Sequence, residues 1–172
     1  MLIEDNQRCL HQGVELLHRC SDEDYVRKAG HCFDSSVGGH IRHIIDHYNC
    51  LFAGLAAVPA RIDYDARGRD TIIEGHPATG IAALEKISSA LGDLGDLGQD
   101  LHAEVLVKMD SGSEYRDHWA PSTLQRELQF LLSHTIHHYA LIATICTVGG
   151  LDVPAHFGVA PSTLRYREQI DG

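Results

Sequence analysis

The sequence predicts an all-α fold in which four long helices pack as one bundle, with a short β-hairpin and a wrapping C-terminal tail as accessories. Three observations carry this expectation. Apolar residues recur at three- and four-residue spacing in four separate stretches of the 172-residue chain, serine, threonine and proline stand where those stretches begin, and glycines stand where most of them end. A single domain spanning residues 1–172 accommodates all four, because a chain of this length buries about 70% of its unfolded surface in one core.

Leu10, Val14, Leu17 and Cys20 follow the helical period, so a first helix is expected from about Leu2 to Cys20. Ser21 with Asp24 three residues on is a capping-box pattern, and starts a short helix that Gly30 stops. Ser35 or Ser36 caps the second long helix, where Val37, Ile41, Ile44, Ile45, Tyr48, Phe52 and Leu55 make one apolar face ending near Ala57. The stretch VPARIDYDARGRDTIIEG, residues 58–75, has proline, glycine and charge without a helical period, and reads as a crossover loop. A third long helix runs from His76 to Leu94, buries Ile81, Leu84, Ile87 and Leu91, and stops at GDLGDLG. Val105 and Val107 alternate in LHAEVLVKMD, SGS supplies a turn, and EYRDHW returns as the second strand of a hairpin. Pro121 in a first helical turn, with Ser122 or Thr123 as cap, opens the last long helix, which Gly149 and Gly150 close. The tail with Pro154 and Pro161 then wraps the bundle and ends in a turn after Ser162.

The net charge of -10, from 24 acidic and 14 basic residues, opposes a phosphate backbone, so no nucleic-acid partner is expected. Met1 to Arg8 match no secretory signal and no stretch is long enough to span a bilayer, which points to a cytoplasmic protein without a membrane partner. Five cysteines, an odd number without CxxC, fit reduced thiols. The unusual count is 13 histidines, several of them gathered in two short windows.

In the later window, a rotation of about 100° per residue puts Leu124, Glu127, Leu131, His134, His138, Leu141, Ile142 and Ile145 in one stripe. His134 and His138, one turn apart, can turn both rings to one ion, as the histidines of HExxH do for zinc, whereas His137 falls to one side. Two unpaired imidazoles in an apolar stripe are costly and a shared cation satisfies both, although a lone core histidine more often only packs. In the earlier window, GGHIRHIIDHY, the residues His40, His43 and His47 form a strip with the small residues Gly39, Cys50 and Gly54, where another helix could approach closely around an ion. Periodicity alone places His40 and His47 nearer the centre of the apolar face than His43.

Taken together, SVGGHIRHIID and HTIHH resemble the DinB/YfiT-like superfamily of metal-binding bundles, and RIDYDARGRD and FGVAPSTLRY are similar to stretches of an uncharacterised bacterial subgroup of it. The resemblance implies an early ligand that follows a small hydroxyl residue by seven positions and precedes two apolar residues and an acid, here Ser36, His43, Ile44, Ile45 and Asp46. It implies that His134 and His138, the outer histidines of HxxHH, complete the metal site and that His137 does not. His47 is not a usual ligand there, and stays open as fourth ligand, proton carrier or supporting group.

Three neutral imidazoles suit zinc or nickel first and iron next, and leave a coordination position open. Such an ion lowers the pKa of bound water or a substrate thiol, or polarises a carbonyl, for transfer or hydrolysis. The resemblance implies a small-molecule substrate, a low-molecular-weight thiol, and an S-transferase or hydrolase activity. The alternative is a non-enzymatic metal-dependent small-molecule binding or sensor protein, since no acid, base or nucleophile is assured. A plainer third expectation is a helical module whose histidines only pack. Glu127 and His47 are candidate bases, and no catalytic residue is assigned. Arg67, Arg69 and Arg165 could grip an anionic substrate, with loop-anchoring ion pairs as the plainer expectation, and Tyr64 and Asp65 are expected in turn and packing roles. Exposed helix faces could pair two copies into a homodimer.

Overall fold

A computed structural model describes residues 2–28, 30, 34–110, 112 and 118–171. Among these, the chain is mostly helical, with α1 (Leu2–Leu17), α2 (Asp22–Val26), α3 (Val37–Leu55), α4 (Thr71–Gly75), α5 (Pro77–Asp96), α6 (Leu124–Val148) and α7 (Pro161–Asp171). The strands β1 (Arg61–Asp63), β2 (Glu104–Lys108) and β3 (Ala120–Thr123) form one small sheet in the order β1-β2-β3.

Helix starts follow side-chain caps that satisfy otherwise orphaned backbone donors. Ser21 and Asp24 close a reciprocal capping box at α2, Ser36 Oγ accepts from Gly39 N–H at 3.1 Å, and Thr123 Oγ1 accepts from Arg126 N–H at 3.2 Å. The four long helices touch in the cyclic order α1, α5, α3, α6 and back to α1. Their shared core includes Leu10, Leu17, Ile41, Ile44, Leu51, Leu84, Leu128, Leu131 and Ile142. One buried polar node fixes α1 against α3 and α6. Asn6 Nδ2 donates to the Leu2 and Leu128 carbonyls at 2.9 and 3.3 Å, and its Oδ1 accepts from the Tyr48 hydroxyl at 2.7 Å. With both ends of the amide satisfied, the node costs little and favours one arrangement of the helices that carry the histidines.

The accessory elements depart from the sequence expectation. The stretch 58–75 contains β1 and α4, three and five residues long, too short for any periodicity to register. β1 runs parallel to β2, with Ile62 opposite Val107, so its partner lies far along the chain. Among the described residues the antiparallel partner of β2 is β3, with Glu104 opposite Thr123. Residues 111 and 113–117, from the expected turn SGS and return strand EYRDHW, lie outside the described residues. Pro121 stands in β3 and not in the first turn of α6, a place an edge strand tolerates because its missing N–H need not face a neighbour. The tail does wrap, with Phe157 stacked on Tyr139 at 4.6 Å, and continues into α7.

The small residues of α3 also serve another purpose than the expected close helix. A Cβ on Gly54 would lie 2.5 Å from the Arg61 carbonyl oxygen and 2.7 Å from Ile62 Cα, and one on Gly38 would collide with the Glu74 carbonyl. The segment of β1 and α4 therefore lies directly on α3. Gly54→Ala must push β1 away, and should cost about 1–3 kcal/mol in urea unfolding. A change below about 0.5 kcal/mol, the range of neutral surface substitutions, would refute this contact. No helix among the described residues is long and apolar enough to cross a membrane.

Candidate metal centre

α3 and α6 lie side by side, and their facing turns bring His43, His134 and His138 together. His134 Nε2 lies 3.2 Å from His43 Nε2 and 3.1 Å from His138 Nε2, and one nitrogen of each ring falls within 4.8 Å of the other two. Nitrogens bound to one tetrahedral zinc at about 2.0–2.1 Å stand roughly 3.3 Å apart, so the observed spacing suits a shared ion. Direct hydrogen bonding suits it less well. A neutral ring nitrogen offers one proton or one lone pair, so His134 Nε2 can satisfy one of its two close contacts well but not both. His134 Nδ1 is buried with no partner among the described residues, and gains nothing from either arrangement.

The three rings are held in the neutral form that a cation needs. Burial, reinforced by His47, His138 and then Arg67 and Arg42, pushes His43 down to about 3. Burial followed by His47, His138 and His43 takes His134 down to about 2, and burial followed by His40 and His137 takes His138 down to about 4. All three remain half-buried, so solvent still reaches the cluster.

Other side chains hold the trio from behind. His40 Nδ1 lies 2.9 Å from His138 Nδ1, and His40 Nε2 is buried without a partner. His47 Nδ1 lies 2.9 Å from the His43 carbonyl, which can only accept, so this nitrogen carries the proton and Nε2 the lone pair. The His47 ring sits 4.2 Å from that of His134 and stacks on Tyr64 at 5.5 Å. Burial, above all, lowers the His47 pKa, and burial likewise raises that of Tyr64. The Tyr64 hydroxyl donates to Glu127 Oε2 at 3.0 Å, and Ser122 Oγ donates to Glu127 Oε1. Arg67 Nη1 stands 3.4 Å from His43 Nδ1, while Arg67 Nε is buried with no partner among the described residues.

The structure thus gathers His43, His134 and His138 as the trio able to share an ion, with the more buried His40 and His47 packed against it but outside it. His137 is exposed, with its ring edge-on to His138. The apolar stripe of α6 is displaced from the expected one. Leu124, Glu127, Leu131, Ile142 and Ile145 of the expected stripe are buried, but Leu128, Thr135, Tyr139 and Cys146 are buried with them, and His134, His138 and Leu141 are half-buried at the margin. The cause is that α6 packs on α1 as well as on α3, so the centre of its buried face belongs to neither alone. Among the described residues Arg67, Arg69 and Arg165 make no ion pair, so the expected loop anchors lie elsewhere. Asp46 Oδ1 accepts from Arg69 N–H at 3.3 Å, and Asp65 Oδ2 accepts from Asp110 N–H at 2.7 Å. The roles of Tyr64 and Arg67 beside the trio had no sequence signal beyond the likeness of RIDYDARGRD to a family stretch.

The sequence profile of the DinB superfamily matches residues 7–142, a span that includes all three histidines. The chain is also 33% identical over 105 residues to FK506-binding protein 5 of Rhizopus delemar, a match that covers 61% of this chain and 27% of that protein. The match therefore spans about a quarter of that curated relative's length. No solved structure matches.

Proposed function

Because this chain belongs to the DinB superfamily, we propose that its four long helices form a bundle whose function is to hold one divalent ion between His43, His134 and His138 for chemistry on a small molecule. The observation that carries this reading is the pair of Nε2 to Nε2 separations, 3.1 and 3.2 Å, centred on His134. Zinc or nickel suits three imidazoles best and iron next. When bound, such an ion supplies Lewis acidity, which favours the ionised form of a thiol or water and polarises a carbonyl. The sharpest form of the proposal is an S-transferase or hydrolase that uses a low-molecular-weight thiol in the cytoplasm.

The protein's own groups then have distinct tasks. If His138 gives Nε2 to the ion, its Nδ1 carries a proton, and His40 Nδ1 at 2.9 Å accepts it and fixes the ring. Replacing His40 by Phe should weaken zinc binding about 10–100-fold, as loss of such a supporting partner does elsewhere, and Gln, which keeps an acceptor, should recover part of the loss. Equal zinc affinity in all three proteins would remove His40 from this role. His47 presents an unprotonated Nε2, suited to take a proton from a substrate, and stacking on the Glu127-bound Tyr64 holds its ring.

The test is to load the protein with zinc, nickel or iron and assay thiol conjugation to an electrophile. Activity should fall to background in His134→Ala and His138→Ala, and unchanged activity in both would sink the proposal. A second reading, metal-dependent small-molecule binding or sensing without turnover, draws on Glu127. Its carboxylate is engaged by Tyr64 and Ser122, so it is not free to act as a base. Retention of a ligand by the metal-loaded protein without product would select that reading.

A further inference from the structure

We propose that Arg67 is the anchor for a carboxylate group of the substrate, held beside the histidine trio. This rests on reading that trio as a metal site, and adds the chemical class of what binds there.

Arg67 is placed and not merely present. Its segment is tied at both ends. Asp65 N–H donates to Asp63 Oδ1 at 2.9 Å, Ala66 N–H donates to the Asp63 carbonyl at 3.3 Å, and Arg69 N–H donates to Asp46 Oδ1 at 3.3 Å. The contact of β1 with Gly54 seats the same segment on α3. These ties deliver the guanidinium to within 3.4 Å of a ring nitrogen of the trio.

Charge points the same way. Among the described residues no carboxylate oxygen comes within ion-pairing distance of Arg67, although acids surround its segment. Each of those acids is engaged elsewhere. Asp46 accepts from Arg42 at 2.9 Å, Asp63 from Lys108 at 3.3 Å, Asp65 from Asp110 N–H and Glu127 from Tyr64 and Ser122. A half-buried guanidinium with a buried, unpaired Nε carries a desolvation cost that an incoming anion offsets.

The proton on His43 also favours an acceptor beside it. When His43 gives Nε2 to an ion, its Nδ1 must carry the hydrogen. Arg67 Nη1, which donates to His43 Nδ1 across 3.4 Å, then faces a second donor along that line and loses its acceptor there. An oxygen lying to one side of that line accepts from both. A planar carboxylate also matches the guanidinium fork, and with a divalent ion nearby the local charge of about +3 favours an anion.

The experiment titrates succinate and, separately, inorganic phosphate into the zinc-loaded protein by calorimetry, for wild type, Arg67→Met and Arg67→Lys, with zinc stoichiometry measured in each. Succinate should bind wild type, bind Arg67→Met about tenfold or more weakly, and bind Arg67→Lys at an intermediate level, with zinc content unchanged. The His43 ring nitrogen signals should shift with succinate in wild type and not in Arg67→Met. Equal succinate affinity in wild type and Arg67→Met overturns the anchor. Tighter binding of phosphate than of succinate, lost in Arg67→Met, overturns the carboxylate class. Loss of zinc from Arg67→Met with no succinate binding to wild type makes Arg67 a prop for His43 and overturns the proposal. Failure of wild type itself to take up zinc would instead sink the metal-site reading. Correct folding of Arg67→Lys keeps the comparison valid if Arg67→Met is unstable.

Discussion

Wild-type protein in zinc at 100 times its dissociation constant should melt roughly 5–10 °C higher than the same protein in chelator, and His134→Ala should lose that shift. The size follows from linkage. Binding to the folded state alone at that excess contributes about 2.7 kcal/mol, and a domain of this size gains about 2–4 °C per kcal/mol. His134 is the ligand to remove because its Nε2 makes both short contacts within the trio, at 3.1 and 3.2 Å, so its loss takes away both. Removing it also leaves no buried charge, since burial already holds the ring neutral. The chelated variant should therefore fold, and differential scanning calorimetry with elemental analysis reads the outcome. A full shift and one bound zinc in His134→Ala would mean that the ion sits elsewhere.

The second large effect is acid destabilisation of the metal-free protein. Folded-state pKa values of about 3, 2 and 4 for His43, His134 and His138 lie below the ordinary 6.5, so the unfolded chain binds more protons between these limits. Stability must then rise with pH across that window and fall as pH drops below about 6.5. Each histidine contributes at most about 1.4 kcal/mol per pH unit. Solvent at the half-buried rings reduces this, and a combined slope of roughly 2 kcal/mol per unit between about pH 6 and pH 4.5 is expected. Urea unfolding in chelator at a series of pH values measures it, with a triple His→Gln variant at these positions as the flatter control. A wild-type slope no steeper than that of the control would show that the rings protonate freely in the folded protein.

The comparison of sequence and structure is most instructive at the histidines of α3. Periodicity ranked His40 and His47 as most central, and they are indeed buried at 8% and 5% exposure, while His43 is half-buried. Burial is what a hydrophobic period reports, and the trio needs something else, a ring nitrogen aimed at a neighbouring helix. That aim depends on how α3 and α6 cross, which no property of α3 alone encodes. The likeness to the DinB pattern named His43 because it carries information on partners that periodicity lacks.

By itself, the sequence determined the long helices, the capping box of Ser21 and Asp24 at the short α2, the hydroxyl pairs Ser35/Ser36 and Ser122/Thr123 that supply the caps of α3 and α6, and the one-turn spacing of His134 and His138, because each depends on residues within a few positions of one another. Tertiary structure alone decided the rest. It paired β1 with β2 across more than forty residues, laid the Arg67 segment on Gly54, set His40 behind His138 and brought Arg67 to His43. Those outcomes rest on contacts between distant segments, where many competing pairings share the same local pattern and only simultaneous packing of all the helices selects one.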